Sequence, residues 1–234
     1  MKEKIQYSQL ANLFRYPKED YLTRVNDCAN MLKEKYPEAY KELLPFVDVV
    51  NQKELFEIEE IFGRTFHIQA ICYLDIGYVL FAEDYKRGEF LVNMKEEQRK
   101  ANNDCGEELA DNLPNVLKLM SILEDQEFLE ELSSRIIAPA LEKMLEEFDV
   151  SRMQLKTKIM KKKQKVIIQE NLENKNIFQH AIAATLLVIQ KDFKVEKYEG
   201  REVKPDVLSS FLPNCSTCSV HEDEKKASTE KINA

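Results

Sequence analysis

Residues 68–81 read IQAICYLDIGYVLF, fourteen positions of which only Asp75 carries a charge. A run this apolar is either a strand buried on both faces of a parallel sheet or a helix buried on most of its sides. The choice sets the fold class. Buried strands usually end after about 4–8 residues, and a parallel sheet needs strands alternating with helices, a pattern that the neighbouring sequence lacks. We therefore expect one helix over 68–81, in the middle of a bundle, and an all-α chain.

Working outward, the flanks repeat helical spacing. Ile5, Leu10, Leu13 and Phe14 make a short first helix that Arg15-Tyr16-Pro17 ends, with Pro17 suited to the first turn of the next. Tyr21, Leu22, Val25, Cys28, Ala29 and Leu32 share one face of that second helix, which stops near Tyr36-Pro37. Leu43, Leu44, Val47 and Val50 mark a third, with Pro45 a kink or boundary. Asn51 and Glu54 have capping-box spacing ahead of Leu55, Ile58, Phe62 and Phe66. Beyond a charged turn at Glu83–Gly88, Phe90, Leu91, Met94 and Gln98 line another helix, and Pro114 starts the one bearing Val116, Leu117 and Met120. Leu129, Leu132, Ile136, Leu141 and Met144 continue the bundle, interrupted or kinked at Pro139. Phe178, Ala181, Ile182, Thr185, Val188 and Ile189 form the inner side of the last helix.

Composition agrees with this class. Five glycines in 234 residues leave few β-turns, and the 44% hydrophobic content can fill a core. One helical domain over 1–195 and a polar tail over 196–234 are expected. A net charge of −8 opposes nucleic acid as a general partner and favours a basic peptide or protein. The first residues, MKEKIQYSQLANLF, do not read as an export signal, and no run approaches the roughly 18 apolar residues of a membrane span. Five cysteines fit reduced thiols in a cytoplasmic protein. Residues 105–149 hold twelve acidic and three basic side chains, whereas 151–165 hold seven basic and none acidic. That basic stretch lacks interleaved aromatics, so a solvated helix face or a cover over the acidic half explains it better than RNA binding.

No stretch presents a nucleophile paired with a base. Cys215, Cys218 and His221 have metal-ligand spacing but make three ligands, one short of a closed zinc site, so incidental cysteines in a tail are favoured over a metal-binding or redox function. His67 and His180 are expected as core or boundary histidines with a satisfied nitrogen. Glu59-Glu60 and Glu107-Glu108 are adjacent pairs that point apart on a helix, which suits solvated charge rather than acid–base work. A generic helical interaction domain is the other reading that composition leaves open.

Two stretches go further. Glu83-Asp84-Tyr85-Lys86-Arg87-Gly88-Glu89 and Gly106-Glu107-Glu108-Leu109-Ala110-Asp111-Asn112-Leu113-Pro114 resemble the nitrate-reductase delta-subunit family, the NarJ-type chaperones of the wider TorD-like group. Leu13-Phe14-Arg15-Tyr16-Pro17 is similar to the family's N-terminal element, and Tyr78–Phe81 to its aromatic approach to the charged turn. The likeness covers roughly residues 8–145. Where family members often read Glu-Leu-Pro-Asp-His-Leu-Pro, this chain has Ala110 and Asn112 in place of the first proline and the histidine, so no imidazole role carries over.

The resemblance implies a TorD-like helical bundle acting as a non-catalytic cytoplasmic chaperone. Its partner would be the N-terminal leader of the catalytic subunit of a molybdopterin oxidoreductase, held until that client acquires its molybdenum cofactor. The chaperone itself would keep no stable cofactor and would not insert into a membrane. On this reading Tyr78, Asp84, Tyr85 and Arg87 form one wall of the client site, and Asp111, Leu113 and Pro114 position the other. Asp84 and Asp111 would pair with leader Arg or Lys, while Arg87 either joins the wall or buttresses it from inside.

Overall fold

Prolines and capping side chains divide the chain into short helices, as seen in the computed structural model, which describes residues 4–68, 70–149, 177–193 and 195. These are α1 (Ile5–Leu13), α2 (Tyr21–Lys35), α3 (Pro37–Gln52), α4 (Leu55–Phe66), α5 (Ile76–Phe81), α6 (Tyr85–Lys100), α7 (Leu113–Ile122), α8 (Gln126–Glu131), α9 (Ala138–Glu146) and α10 (Ile177–Asp192). A π-helical segment, Leu132–Ile137, joins α8 to α9. The fold is all-α; among the described residues there is no strand or sheet. All of them belong to one unit over residues 1–200. The segment 151–165 and the tail from 196 lie outside the described residues.

Local chemistry explains most boundaries and corrects several expectations. Pro37 opens α3, where its missing N–H costs nothing. Pro17 does not open α2; that helix starts four residues later at Tyr21, whose hydroxyl donates back to the Leu13 carbonyl at 2.7 Å. Pro45 lies inside α3 without ending it. Pro45 and Lys41 are both exposed, so the Lys41 carbonyl that loses its helical partner sits on the solvent side. The capping box of α4 is Glu54 with Glu57, one register later than Asn51 with Glu54. Asn51 stays in α3 and exchanges amide hydrogen bonds of 3.1 and 3.2 Å with Asn26 of α2. Near Pro139 the helix shifts rather than breaks: the Ala138 N–H reaches the Ser133 carbonyl, five residues back, and the π segment absorbs the donor that proline lacks.

The run 68–81 is not one helix. His67 and Ile68 end α4 in a turn, both donating to the Gly63 carbonyl at 2.9 and 2.7 Å, and Ile68 is 72% exposed. Helix resumes only at Ile76. The backbone just before it is used for a long-range pairing, with Asp75 and Asn112 forming an isolated antiparallel bridge. The central position falls instead to α10, which buries Ile177, Phe178, Ala181, Ile182, Ala184, Thr185, Leu186, Val188 and Ile189.

Around α10 the core is aromatic. The Phe178 ring lies 5.1 Å from Phe46 of α3 and 5.6 and 4.9 Å from Phe62 and Phe66 of α4, centroid to centroid. α10 packs chiefly on α3 and α9, while α1 packs on α7 and α2. At the end of α10, Asp192 accepts hydrogen bonds from Tyr7 Oη (2.7 Å), Tyr36 Oη (2.8 Å) and Gln6 Nε2 (2.9 Å). A carboxylate opposes the helix dipole there, and three donors offset that cost. Burial, reinforced by Asp192, pushes both tyrosine hydroxyls well above their ordinary range.

Candidate functional site

The pairing that interrupts the apolar run builds the site. The Ile76 N–H donates to the Asp111 carbonyl (3.0 Å), the Leu113 N–H to the Leu74 carbonyl (2.9 Å), and Asn112 Nδ2 to Asp75 Oδ1 (3.0 Å). One bond fastens the α5 start directly: the Gly77 N–H donates to Asp111 Oδ2 at 2.9 Å. Only glycine fits. A Cβ on residue 77 would stand 2.7 Å from Asp111 Oδ2 and 2.9 Å from Phe90 Cδ1.

Asp111 is fully buried, and its Oδ1 has no hydrogen-bond partner. Burial raises its carboxyl above the ordinary aspartate value of 3.8, opposed by the Gly77 hydrogen bond; nearby Asp75 raises it further and Arg87 lowers it. The loop leading to it is held from below. Gln98 Nε2 donates to the Ala110 carbonyl (2.8 Å), Asn103 Nδ2 to Gln98 Oε1 (2.6 Å) and to the Asn115 carbonyl (3.1 Å), and Asn115 Nδ2 to the Leu109 carbonyl (3.0 Å).

Outside this fastening lies an aromatic and charged surface. The Tyr78 ring meets Tyr73 edge-on at 4.5 Å, and the Arg87 guanidinium stands 5.1 Å from its centroid. Arg87 Nη2 is 3.8 Å from Asp75 Oδ2, both side chains about a quarter exposed, so this pair is weak, on the order of 0–1 kcal/mol. Asp84 caps α6, its Oδ1 accepting the Lys86 N–H at 2.9 Å. Tyr85 is 74% exposed. The turn between α5 and α6 is shorter than Glu83–Gly88: Ala82, at φ 53°, takes the left-handed conformation, and Gly88 is already inside α6.

The sequence-predicted residues thus divide. Tyr78 and Arg87 come together at the α5–α6 corner beside Asp84, while Tyr85 points outward from the opposite side of α6; all four side chains are partly or wholly exposed. Asp111, Leu113 and Pro114 are buried, so the second wall is an interior fastening. Leu113 fills the core, and the Asp111 carboxyl is buried with Oδ2 bonded to the α5 backbone, out of reach of a leader cation at the surface. Tyr73, Asp75 and Gly77 were missed. The signal for them was Asp75-Ile76-Gly77 inside the apolar run, a helix-start residue followed by a glycine, which marks a break.

Other candidates find ordinary places. His67 is exposed at the end of α4, while His180 Nδ1 lies 2.9 Å from Glu42 Oε1. Cys28 is buried, its thiol pushed up to about 12 by burial. Cys215, Cys218 and His221 lie outside the described residues. Among the described residues no group of three or more His, Cys, Asp or Glu side chains could hold a metal ion, and no helix is long and apolar enough to cross a membrane.

No family model, curated protein or solved structure matched the chain. The corner itself offers ring faces, three phenol hydroxyls, one guanidinium, and the carboxylates of part-exposed Asp75 and exposed Asp84. Such a set can bind a peptide carrying basic and apolar side chains.

Proposed function

We propose that this chain is a client-binding chaperone of the NarJ type, with a TorD-like helical bundle, which receives the leader of a molybdopterin oxidoreductase catalytic subunit in the cytoplasm. It is not an enzyme. It holds no stable cofactor of its own, and its client acquires the molybdenum cofactor while bound. One observation carries the reading: the two stretches that resemble the family, 83–89 and 106–114, are joined to the same helix start. The Gly77–Asp111 bond and the Asp75–Asn112 bridge hold the end of the second stretch, Ala110–Pro114, inside, and the first faces outward with Tyr78, Tyr85 and Arg87.

The burial of Asp111 revises the binding residues. Tyr73, Tyr78 and Tyr85 supply contact area, Asp75 and Asp84 the charges for leader Arg or Lys, and Arg87 props the Tyr78 ring. Asp111 acts through the fold. A basic leader peptide titrated into wild type and into Asp75→Asn/Asp84→Asn protein is expected to bind the variant about ten-fold more weakly, with less salt dependence. Equal affinity and equal salt response in a folded variant would refute the assignment. Capture from the native cell should yield a large molybdopterin oxidoreductase subunit.

A further inference from the structure

Asp111 is a buried carboxylate with only one of its oxygens engaged. Oδ2 takes the Gly77 N–H, while Oδ1 has no partner among the described residues. Ionising a carboxyl in that state is unfavourable, and a further donor would offset much of the penalty. The charged side chains that act on it are Asp75, ahead of α5, and Arg87, from α6. Arg87 is placed to be that donor. A Cβ on Gly77 would lie 2.7 Å from Asp111 Oδ2 and 3.5 Å from Arg87 Cγ, so the carboxylate and the arginine stem flank the same missing side chain. Phe90, the third neighbour there, is uncharged. The guanidinium itself is turned away, 5.1 Å from the Tyr78 centroid and 3.8 Å from Asp75 Oδ2, longer than a hydrogen bond. Its side chain is 28% exposed, and rotation beyond Cγ moves the fork without moving the stem.

We propose that Arg87 is a two-position switch shared by two carboxylates: it rests over Tyr78 and beside Asp75 while Asp111 is protonated, and turns onto Asp111 when that carboxyl ionises. A neutral Asp111 offers the guanidinium little, so the ring face and Asp75 hold it, both weakly at a part-exposed site. An ionised Asp111 offers a charge-assisted hydrogen bond, roughly twice as strong as a neutral one, in surroundings that screen it less. Gly77 keeps the way between them clear, since any side chain at that position would press on both. Turning inward uncovers the Tyr78 ring and leaves Asp75 without its counter-charge. The α5–α6 corner therefore becomes more open and more acidic as pH rises through the Asp111 midpoint.

This inference stands apart from the leader reading and is assayed on the full chain with no peptide present. Carbon-13 NMR of the Asp111 carboxyl follows its ionisation, and ring-current shifts of the Arg87 side-chain protons report whether the guanidinium lies over Tyr78. In wild type the Arg87 shifts should move towards ring-free values with the same midpoint as the Asp111 carboxyl. In Asp111→Asn, whose amide oxygen can still accept the Gly77 N–H, they should stay in place across that range. Arg87→Met keeps the stem and removes the fork. It should raise the Asp111 midpoint by about one pH unit, a ten-fold gain in proton affinity. Because Arg87 is part-exposed, this variant tests the pairing independently of Asp111→Asn. An Arg87 that holds one place throughout, one that moves identically in Asp111→Asn, or an Asp111 midpoint indifferent to Arg87→Met would overturn the proposal.

Discussion

A methyl group on Gly77 would press on a buried carboxylate oxygen and the edge of a buried ring, at 2.7 and 2.9 Å. Gly77→Ala should therefore cost about 1–3 kcal/mol despite alanine's better helix propensity. Gly88→Ala, with nothing near its added methyl, should gain about 0.5–1 kcal/mol. Urea midpoints of the two variants, taken at low chain concentration, should move in opposite directions. Asp111 makes a second prediction. Its folded-state carboxyl binds protons more tightly than the unfolded chain does, so the folded state holds more protons between the two values and stability falls as pH rises through that window. This contribution is complete below the ordinary value of 3.8 and is lost above the raised one. Asp111→Asn cannot titrate there. The stability of wild type minus that of the variant should decline as pH rises above the ordinary value of 3.8, with the other carboxylates cancelling in the difference. A difference that rises with pH would mean that the carboxylate is stabilised as an ion.

At the scale of elements, α10 is the helix on which the others depend. Phe178 joins α10 to α3 and α4 through three ring contacts, and Phe178→Ala should cost about 3–5 kcal/mol in urea unfolding, a large share of a typical domain's stability. A loss below about 1 kcal/mol would show that the cluster re-closes around the gap. The period of α10 was legible because polar residues such as Gln179 and Gln190 interrupt its apolar ones. The run 68–81 was not, since nearly uniform apolarity carries no period and both readings of it were single elements. What divides it is a partner 34 residues away, Asp111, which no local pattern near Gly77 announces. The same long-range bridge is why the sequence placed Asp111 in the client wall, open to leader Arg or Lys, rather than inside. Polar loop residues are usually solvated, and only the fold reveals that this loop is pinned beneath α5. The α4 cap was ambiguous for a different reason: Asn51–Glu54 and Glu54–Glu57 share one spacing, and α3 running on to Gln52 decides between them.

The whole molecule carries a net charge of −8, a field that would act on the proposed basic leader before any contact forms. Asp75 and Asp84 lie at the corner where the leader is proposed to dock, the first part-exposed and the second exposed, so their effect belongs mainly to the encounter. Raising ionic strength from about 0.01 M to about 0.15 M contracts the screening length from about 30 Å to about 8 Å, less than the span of the chain. Stopped-flow mixing with a basic leader peptide should then show the association rate falling by about ten-fold or more, with the dissociation rate changed far less, because Tyr73, Tyr78 and Tyr85 hold the peptide by contact area that salt barely touches. Asp75→Asn/Asp84→Asn should flatten the salt slope of association more than it speeds release. If salt acts on the dissociation rate instead, the carboxylates grip the bound leader directly, and the docking corner is built on charge pairs rather than on its three tyrosines.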